Sequence, residues 1–353
     1  MRRTVDAKWL AVIAAVLVAG CATDAATPAD PGLNADREDG NRPFTIAVIG
    51  DTPYGDVKLA EFPSLIALIN ADPQVERVLH AGDIKAGKNS DCTSAYFHTI
   101  RGLFDTFDDP LVYTPGDNEW TDCHVDIKNN GLYAPTERLV AVRDTFFPVP
   151  GRTLGIHQAR VKSQADDPAN AAYVENVMWT RSGVVFAALN ITGSNNDGAS
   201  WGTTLPADAG SYPSQADEQA ARAAANAAWL DRVFSNAREE HAPAVVLLFQ
   251  ADMWDPAEPT LTGYDALVNQ IGTLAADFGR PVLLLEGDSH VFHVDNPYSA
   301  ASPFHGFHPS TPLADNVTRI VVEGSDKGRT EYLRLTIDPK AKAPFSWVRV
   351  PLD

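Results

Sequence analysis

Four apolar runs in this 353-residue chain stop at Gly-Asp. Residues 44–49 lead to Gly50-Asp51, 78–81 to Gly82-Asp83, 111–113 to Gly116-Asp117, and 281–285 to Gly287-Asp288. Short β-rich apolar runs that end in glycine predict buried strands, and each aspartate then stands at the carboxyl end of its strand. In open α/β sheets, ligands bind outside those ends. Four carboxylates at one sheet edge repel one another unless something positive lies among them, and a divalent metal centre meets that need.

The segments between these motifs set the fold class. Strands over 44–50, 77–81 and 111–114 alternate with helical patterns over 57–70 and 94–107. That order predicts a parallel sheet with right-handed crossovers. A helix over 136–147 follows, started by Pro135. Residues 172–181 and 183–191 predict a hairpin, and 193–213, rich in Gly, Asn, Asp and Ser, a long loop. An alanine-rich helix over 214–237 carries Leu230, Val233 and Phe234 on one face. Next come a strand over 244–249, a helix over 261–278 and a strand over 281–286; strands over 317–323, 330–337 and 345–350 close the chain. There is no internal repeat. Parallel units first and antiparallel strands later predict an α/β fold: two packed mixed β-sheets flanked by helices, a four-layer α/β/β/α sandwich formed by a single domain over 43–353.

The first residues have a different character. Arg2, Arg3 and Lys8 flank an apolar stretch over 9–19 that is too short to span a bilayer, which predicts a signal peptide over 1–20. Val18-Ala19-Gly20-Cys21 resembles a bacterial lipoprotein cleavage box, which implies lipid on Cys21. Ala22 follows, which implies retention at the outer membrane; a plain secretory signal is the alternative. The expected location is the cell envelope, as an outer-membrane or periplasmic lipoprotein. Residues 21–42, almost without large apolar side chains, predict a tether spanning roughly 25 Å. The whole chain carries −18; without the three bases and one acid of residues 1–20 it carries −20. Such a chain does not attract nucleic acid or anionic membranes by bulk charge. Of three cysteines, Cys92 and Cys123 remain to pair, and export favours a disulfide over two free buried thiols.

Strand-end acids at this rhythm resemble the calcineurin-like metallophosphoesterases, the superfamily that includes the purple acid phosphatases, over about residues 44–295. That family's blocks are Asp-x-His, Gly-Asp, Gly-Asn-His-Glu/Asp, a lone His after a strand, and Gly-His-x-His. Here they read Asp51-Thr52-Pro53, Gly82-Asp83, Gly116-Asp117-Asn118-Glu119, Gln250, and Gly287-Asp288-Ser289-His290. The resemblance implies two divalent metals. Asp51 and His290 would hold the first, Asp83 would bridge, and Asp117, Gln250 and Asp288 would hold the second. Pro53 offers no ligand, and Tyr54 beside it is a substitute. Replacement of imidazole by carboxylate and carboxamide favours Mn, Mg or Fe, with Zn or Ca also compatible. The implied activity is hydrolysis of phosphomonoesters or phosphodiesters by a metal-bridged hydroxide, in a monomer acting on a small phosphorylated substrate. Asn118 takes the place of the family's leaving-group histidine and cannot give up a proton near neutral pH, so His124 and His293 stand as substitute acids. A fold relative whose site has decayed into a binding or structural module is the second reading.

Other signals carry less. Glu119 and Asp122 either orient ligands or close a loop. His80, inside a strand, reads as a buried hydrogen-bonded histidine. Asn190, Asn195, Asn196 and Asp197 form either a site wall or a turn cluster, and Asp252 competes with Gln250 for the fourth block. His305 and His308, in a Gly/Pro loop, read as incidental. Gly198-Ala199-Ser200-Trp201-Gly202 matches a serine-hydrolase elbow but lacks the flanking strand and helix. Specificity is expected in loops 120–135, 155–170 and 193–213.

Overall fold

The alternation of apolar strands and capped helices resolves into two sheets. The computed structural model describes residues 41–87, 91–125, 133–202 and 209–352. The signal peptide, Cys21 and the tether up to residue 40 lie outside these residues, and among the described residues no helix is long and apolar enough to cross a membrane. The strands are β1 (Phe44–Ile49), β2 (Val75–His80), β3 (Leu111–Tyr113), β4 (Lys162–Ser163), β5 (Val177–Arg181), β6 (Val184–Ala188), β7 (Val245–Leu248), β8 (Val282–Glu286), β9 (His293–Asp295), β10 (Val317–Val321), β11 (Glu331–Ile337) and β12 (Phe345–Pro351). One sheet runs β12-β11-β1-β2-β3 and the other β4-β5-β6-β7-β8-β10-β9. Parallel strands are β1 to β3 in the first, which has antiparallel strands at one edge, and β6, β7, β8 and β10 in the second, which has them at both.

The helices are α1 (Gly55–Asn70), α2 (Ser94–Phe104), α3 (Pro135–Phe146), α4 (Gln215–Glu239) and α5 (Asp265–Phe278). Their limits follow local chemistry. Thr93 and Ser214 accept N-cap bonds from Tyr96 and Asp217, Pro135 opens α3, and Gly279 ends α5 in the left-handed conformation (φ 66°). Period-two alternation then sorts side chains into layers. Ile46 and Val48 of β1 face Phe186, Val246, Leu283 and Leu335 between the sheets, whereas Ala47 and Ile49 face Phe62, Leu65 and Ile66 of α1. On the far side Leu230, Val233 and Phe234 of α4 and Ile271 of α5 cover Val245, Leu247 and Leu284. Each fully buried Leu, Ile or Phe contributes about 1.5–3 kcal/mol. These three apolar layers make the four-layer α/β/β/α sandwich expected from the element order.

Some pairings had no local signal. The last strands separate: β10 joins the second sheet parallel to β8, while β11 and β12 return to the first sheet beside β1. The expected hairpin is shorter than residues 172–191, and the three-residue β9 was not anticipated. Cys92 and Cys123 are bonded, tying the segment after β2 to the 3₁₀ turn after β3 across a sequence separation of 31. By the chain-entropy argument a loop of that size is worth about 3–4 kcal/mol. We expect Cys92→Ala/Cys123→Ala to lower the urea-unfolding free energy by that amount, with a somewhat larger m-value as the unfolded chain expands; a loss under about 1 kcal/mol would contradict it.

Candidate metal centre

The parallel strands of both sheets deliver their carboxyl ends to one edge of the molecule. Asp51 follows β1, Asp83 follows β2, Asp117 follows β3, Gln250 follows β7, and Asp288 and His290 follow β8. Donor atoms of Asp51, Asp83 and His290 all lie within 4.8 Å of one another, and so do those of Asp83, Asp117 and Asp288. Asp83 is common to both groups. Gln250 joins the second: its Nε2 donates to Asp117 Oδ1 (3.1 Å) and Asp288 Oδ1 (3.0 Å), and its Oε1 accepts from the Gly193 N–H (2.5 Å). Asp51, Asp83, Asp117 and Gln250 are buried, while Asp288 and His290 are half-buried and form the mouth.

The backbone is bent to aim these groups. Asp51, Asp83, Asp288 and His290 all have φ between 49° and 72°. Left-handed non-glycine residues are strained by about 1–3 kcal/mol each and persist where the surroundings hold them, as they do at ligand clamps. His80 does some of the holding. Its Nε2 donates to the Thr52 carbonyl (3.0 Å) and its Nδ1 accepts from Gly82 N–H (3.2 Å), so the ring is neutral. Burial pushes it down to about 4. Glu119 Oε1 does the same from below, accepting from the backbone N–H of Asp83 (3.2 Å) and Gly116 (2.7 Å) and from Tyr113 OH (2.6 Å). Gly116 is required by proximity, since a Cβ there would lie 2.1 Å from Asp83 Oδ1.

The electrostatics of the bare cluster are unfavourable. Burial, then Asp117, Glu119, Asp51 and Asp288, push the Asp83 carboxyl well above the usual carboxylate range. Burial, then Asp117 and Asp51, do the same to Asp288, and burial with Asp122 raises Asp117 to about 7. At His290, burial lowers the pKa, but Asp51 and Asp326 outweigh it and the net direction is up. The donors to the four aspartates are Tyr54, Asn118, Ser194, Gln250, His290 and backbone N–H groups; among the described residues no arginine or lysine is one of them. Asp51 Oδ2 is buried with no hydrogen-bond partner. A buried, unpartnered carboxylate oxygen facing three more carboxylates fits a cation, and an oxygen-rich donor set suits a hard divalent one. Both donor groups therefore fit the divalent metals that the sequence resemblance implies.

Tyr54 completes the first group. Its hydroxyl lies 2.8 Å from Asp83 Oδ2, 3.3 Å from Asp51 Oδ1, 3.3 Å from His290 Nε2 and 3.0 Å from Asn118 Nδ2. Donors held at about 2.1 Å from one cation stand about 3.0–3.4 Å apart, so the phenol stands where it would supply the donor that Pro53 cannot. Burial, Asp83 and Asp51 raise its pKa well above the ordinary value, so it is a neutral hydroxyl in the metal-free cluster.

The two histidines expected as substitute acids stand elsewhere. His124 Nδ1 is turned onto the Thr121 carbonyl (2.6 Å). His293 Nε2 lies 3.3 Å from Asp295, and its ring meets Phe304 edge-on. Among the described residues neither bonds to the cluster, because adjacency in sequence to Asp117 or His290 does not carry a side chain past a reversal of the chain. Asn118 does reach it, Nδ2 donating to Asp83 Oδ2 (2.6 Å). His308 is not incidental: fully buried, it bonds Asp265 (2.8 Å) and the Met253 carbonyl (2.7 Å), fastening the loop over α5.

The residues after β6, open from sequence between a site wall and a turn cluster, form a turn at the site whose conformation and Ser194 contact sequence did not supply. Ser194, Asn195, Asn196 and Asp197 are all left-handed, with φ from 52° to 62°. Buried Arg222 holds Asn196 through its carbonyl (3.0 Å) and side chain (2.5 Å). The turn places Ser194 Oγ 2.8 Å from Asp117 Oδ2 and 2.9 Å from Asp122 Oδ1. It also brings Gly193 so close that a Cβ would lie 2.7 Å from Asp288 Oδ1. A polar run directly after an apolar strand was the only signal for it. Asp252 is not a competitor for Gln250: its backbone N–H donates to Asp288 Oδ2 (3.2 Å), while its carboxylate binds Arg319 (2.6 Å).

No family model matches the chain. No curated protein matches it either. Among solved structures it is similar to GAP50, the anchor in the inner membrane complex of Plasmodium, at 8% identity and a TM-score of 0.44, over 88% of this chain and 90% of that one. A likeness so distant carries no argument about what this chain does.

Proposed function

We propose that the protein is a divalent-metal-dependent phosphoester hydrolase of the cell envelope, related to the calcineurin-like metallophosphoesterases. One observation carries the reading: two donor groups from both sheets meet at the strand carboxyl ends and share Asp83. Asp51, Asp83, Tyr54 and His290 would hold one cation, and Asp83, Asp117 and Asp288 the other; Gln250, expected from sequence as a ligand, instead turns its Nε2 to Asp117 and Asp288 and its carbonyl to Gly193 N–H, so it orients those carboxylates. Two such cations supply Lewis acidity toward the phosphate oxygens and toward an attacking water. The charged N-terminal segment and Cys21 support export and lipid attachment, with the tether between lipid and domain.

The chain's own residues do the positioning. Asn118 Nδ2 spends its two N–H bonds on Asp83 Oδ2 and Tyr54 OH, so it fixes those two groups and gives up no proton. With His124 and His293 turned away, no titratable side chain among the described residues stands ready to protonate a departing alkoxide. The rate then depends steeply on leaving-group acidity. In assays of the Mn²⁺-supplemented protein, aryl phosphate esters are expected to react at least a hundredfold faster than alkyl esters, about 3 kcal/mol in barrier. Equal rates would defeat this account of the leaving group. No Mn²⁺-stimulated hydrolysis of any ester would instead favour the decayed binding module, a reading that Pro53 and Asn118 at two histidine positions keep open.

A further inference from the structure

We infer that the centre, taken as a phosphoester hydrolase site as above, selects singly charged phosphodiesters over doubly charged phosphomonoesters. The inference rests on charge. As ligands, Asp51, Asp83, Asp117 and Asp288 carry four negative charges, while His290 and Tyr54, as a neutral phenol, carry none. Two divalent cations cancel that sum and leave nothing over. The neighbouring basic groups are already matched. Arg319 is held by Asp252 (2.6 Å) and Asp295 (2.8 Å), with Glu286 at 3.7 Å. Buried Lys85 lies under the Asn118 carbonyl (2.7 Å), where its charge faces Glu119. Lys327 sits 3.4 Å from Asp326, whose other contact is His290 Nδ1 at 3.1 Å. Asp122, half-buried, adds a negative charge that, among the described residues, is held by the hydroxyls of Ser194 and Thr121. The field at the mouth is thus neutral to negative. With an effective dielectric near 20 and separations of about 6–12 Å, a second negative charge on the phosphate is disfavoured by about ten- to a hundredfold.

The rim suits the extra organic group. Tyr54 and His290 meet edge to face with ring centroids 5.2 Å apart at the half-buried mouth of the cluster. Aromatic rings flanking a charged centre offer contact to the ester group that a diester has and a monoester lacks. In the reaction, water oxygen bonds to phosphorus and the bond from phosphorus to one ester oxygen breaks. That oxygen leaves with the electron pair and takes one of the water protons. The products are an alcohol and a monoester, and the monoester, once it ionises to the dianion, is repelled by the centre that made it.

The test uses the full chain loaded with Mn²⁺ at pH 8. Bis(4-nitrophenyl) phosphate is expected to give one nitrophenol per molecule while 4-nitrophenyl phosphate accumulates, with kcat/KM at least tenfold lower for that monoester. Dimethyl phosphate is expected to bind more tightly than methyl phosphate by calorimetry and by Mn²⁺ broadening of the ³¹P signal. Asp326→Asn, which removes one charge, is expected to narrow both differences several-fold. A monoester hydrolysed as fast as the diester, or methyl phosphate bound as tightly as dimethyl phosphate, overturns the inference and leaves the hydrolase reading intact. Preferential binding of dimethyl phosphate with no turnover of either ester upholds the charge selection while the hydrolase reading fails.

Discussion

Asp83→Ala is expected to abolish the response of this protein to divalent metal. Asp83 alone belongs to both donor groups, so its loss opens both at once. Metal ions contribute several kcal/mol of charge stabilisation in phosphoryl chemistry. Mn²⁺-stimulated hydrolysis of aryl phosphodiesters should therefore fall roughly a thousandfold or more. Stability supplies a second readout that does not depend on turnover. In the parent, Mn²⁺ at a hundred times its dissociation constant should add about 2.7 kcal/mol to unfolding. In Asp83→Ala that gain should vanish. The metal-free variant should meanwhile be as stable as the parent at pH 8 or more so, because one buried carboxylate has left a cluster that pushes its pKa up through Asp117, Glu119, Asp51 and Asp288. A variant that keeps a full Mn²⁺-dependent rise in melting temperature would show that these groups are not where metal binds.

Chelated protein should lose stability as pH rises, and metal should restore it. Asp117 is raised to about 7, and Asp83 and Asp288 stand well above the usual range, so the folded, metal-free state keeps protons that the unfolded chain releases near pH 4. Raised folded-state values give stability that is complete below about pH 4 and is lost as pH climbs through 7 and above. Each extra proton sets a slope of about 1.4 kcal/mol per pH unit. Cations replace those protons, so the metal-loaded protein lacks this decline, and metal affinity rises with pH. Urea unfolding between pH 5 and 8, with EDTA or with Mn²⁺, should give curves that diverge toward high pH. Groups remote from the centre, such as Asp72, lowered by its bonds to Arg334, Gln74 and Tyr332 despite burial, titrate alike in both and cancel in the difference. Parallel curves would count against the metal assignment.

The sandwich was legible because its signals are local: an apolar run, a glycine and a carboxylate, repeated at intervals that leave room for one helix. Such a pattern also says which strand end each aspartate occupies, and Asp51, Asp83, Asp117, Gln250, Asp288 and His290 do gather at one edge. What stayed hidden depends on long-range packing. Nothing local distinguishes β10, which pairs with β8, from β11, which pairs with β1. The left-handed turn at Ser194–Asp197 is imposed by Arg222 and Gly263, 26 and 68 residues away from their partners in it. His124 and His293 fail for the converse reason: closeness along the chain said nothing about direction.

The way the polypeptide enters the domain has a consequence for where substrate comes from. Arg42 bonds Glu76 (2.6 Å) just before β1, and the first aspartate lies at the opposite end of that six-residue strand, about 20 Å farther on. With lipid on Cys21, the tether would join the domain at the end away from the carboxylates, leaving them on the side open to dissolved esters from the aqueous compartment.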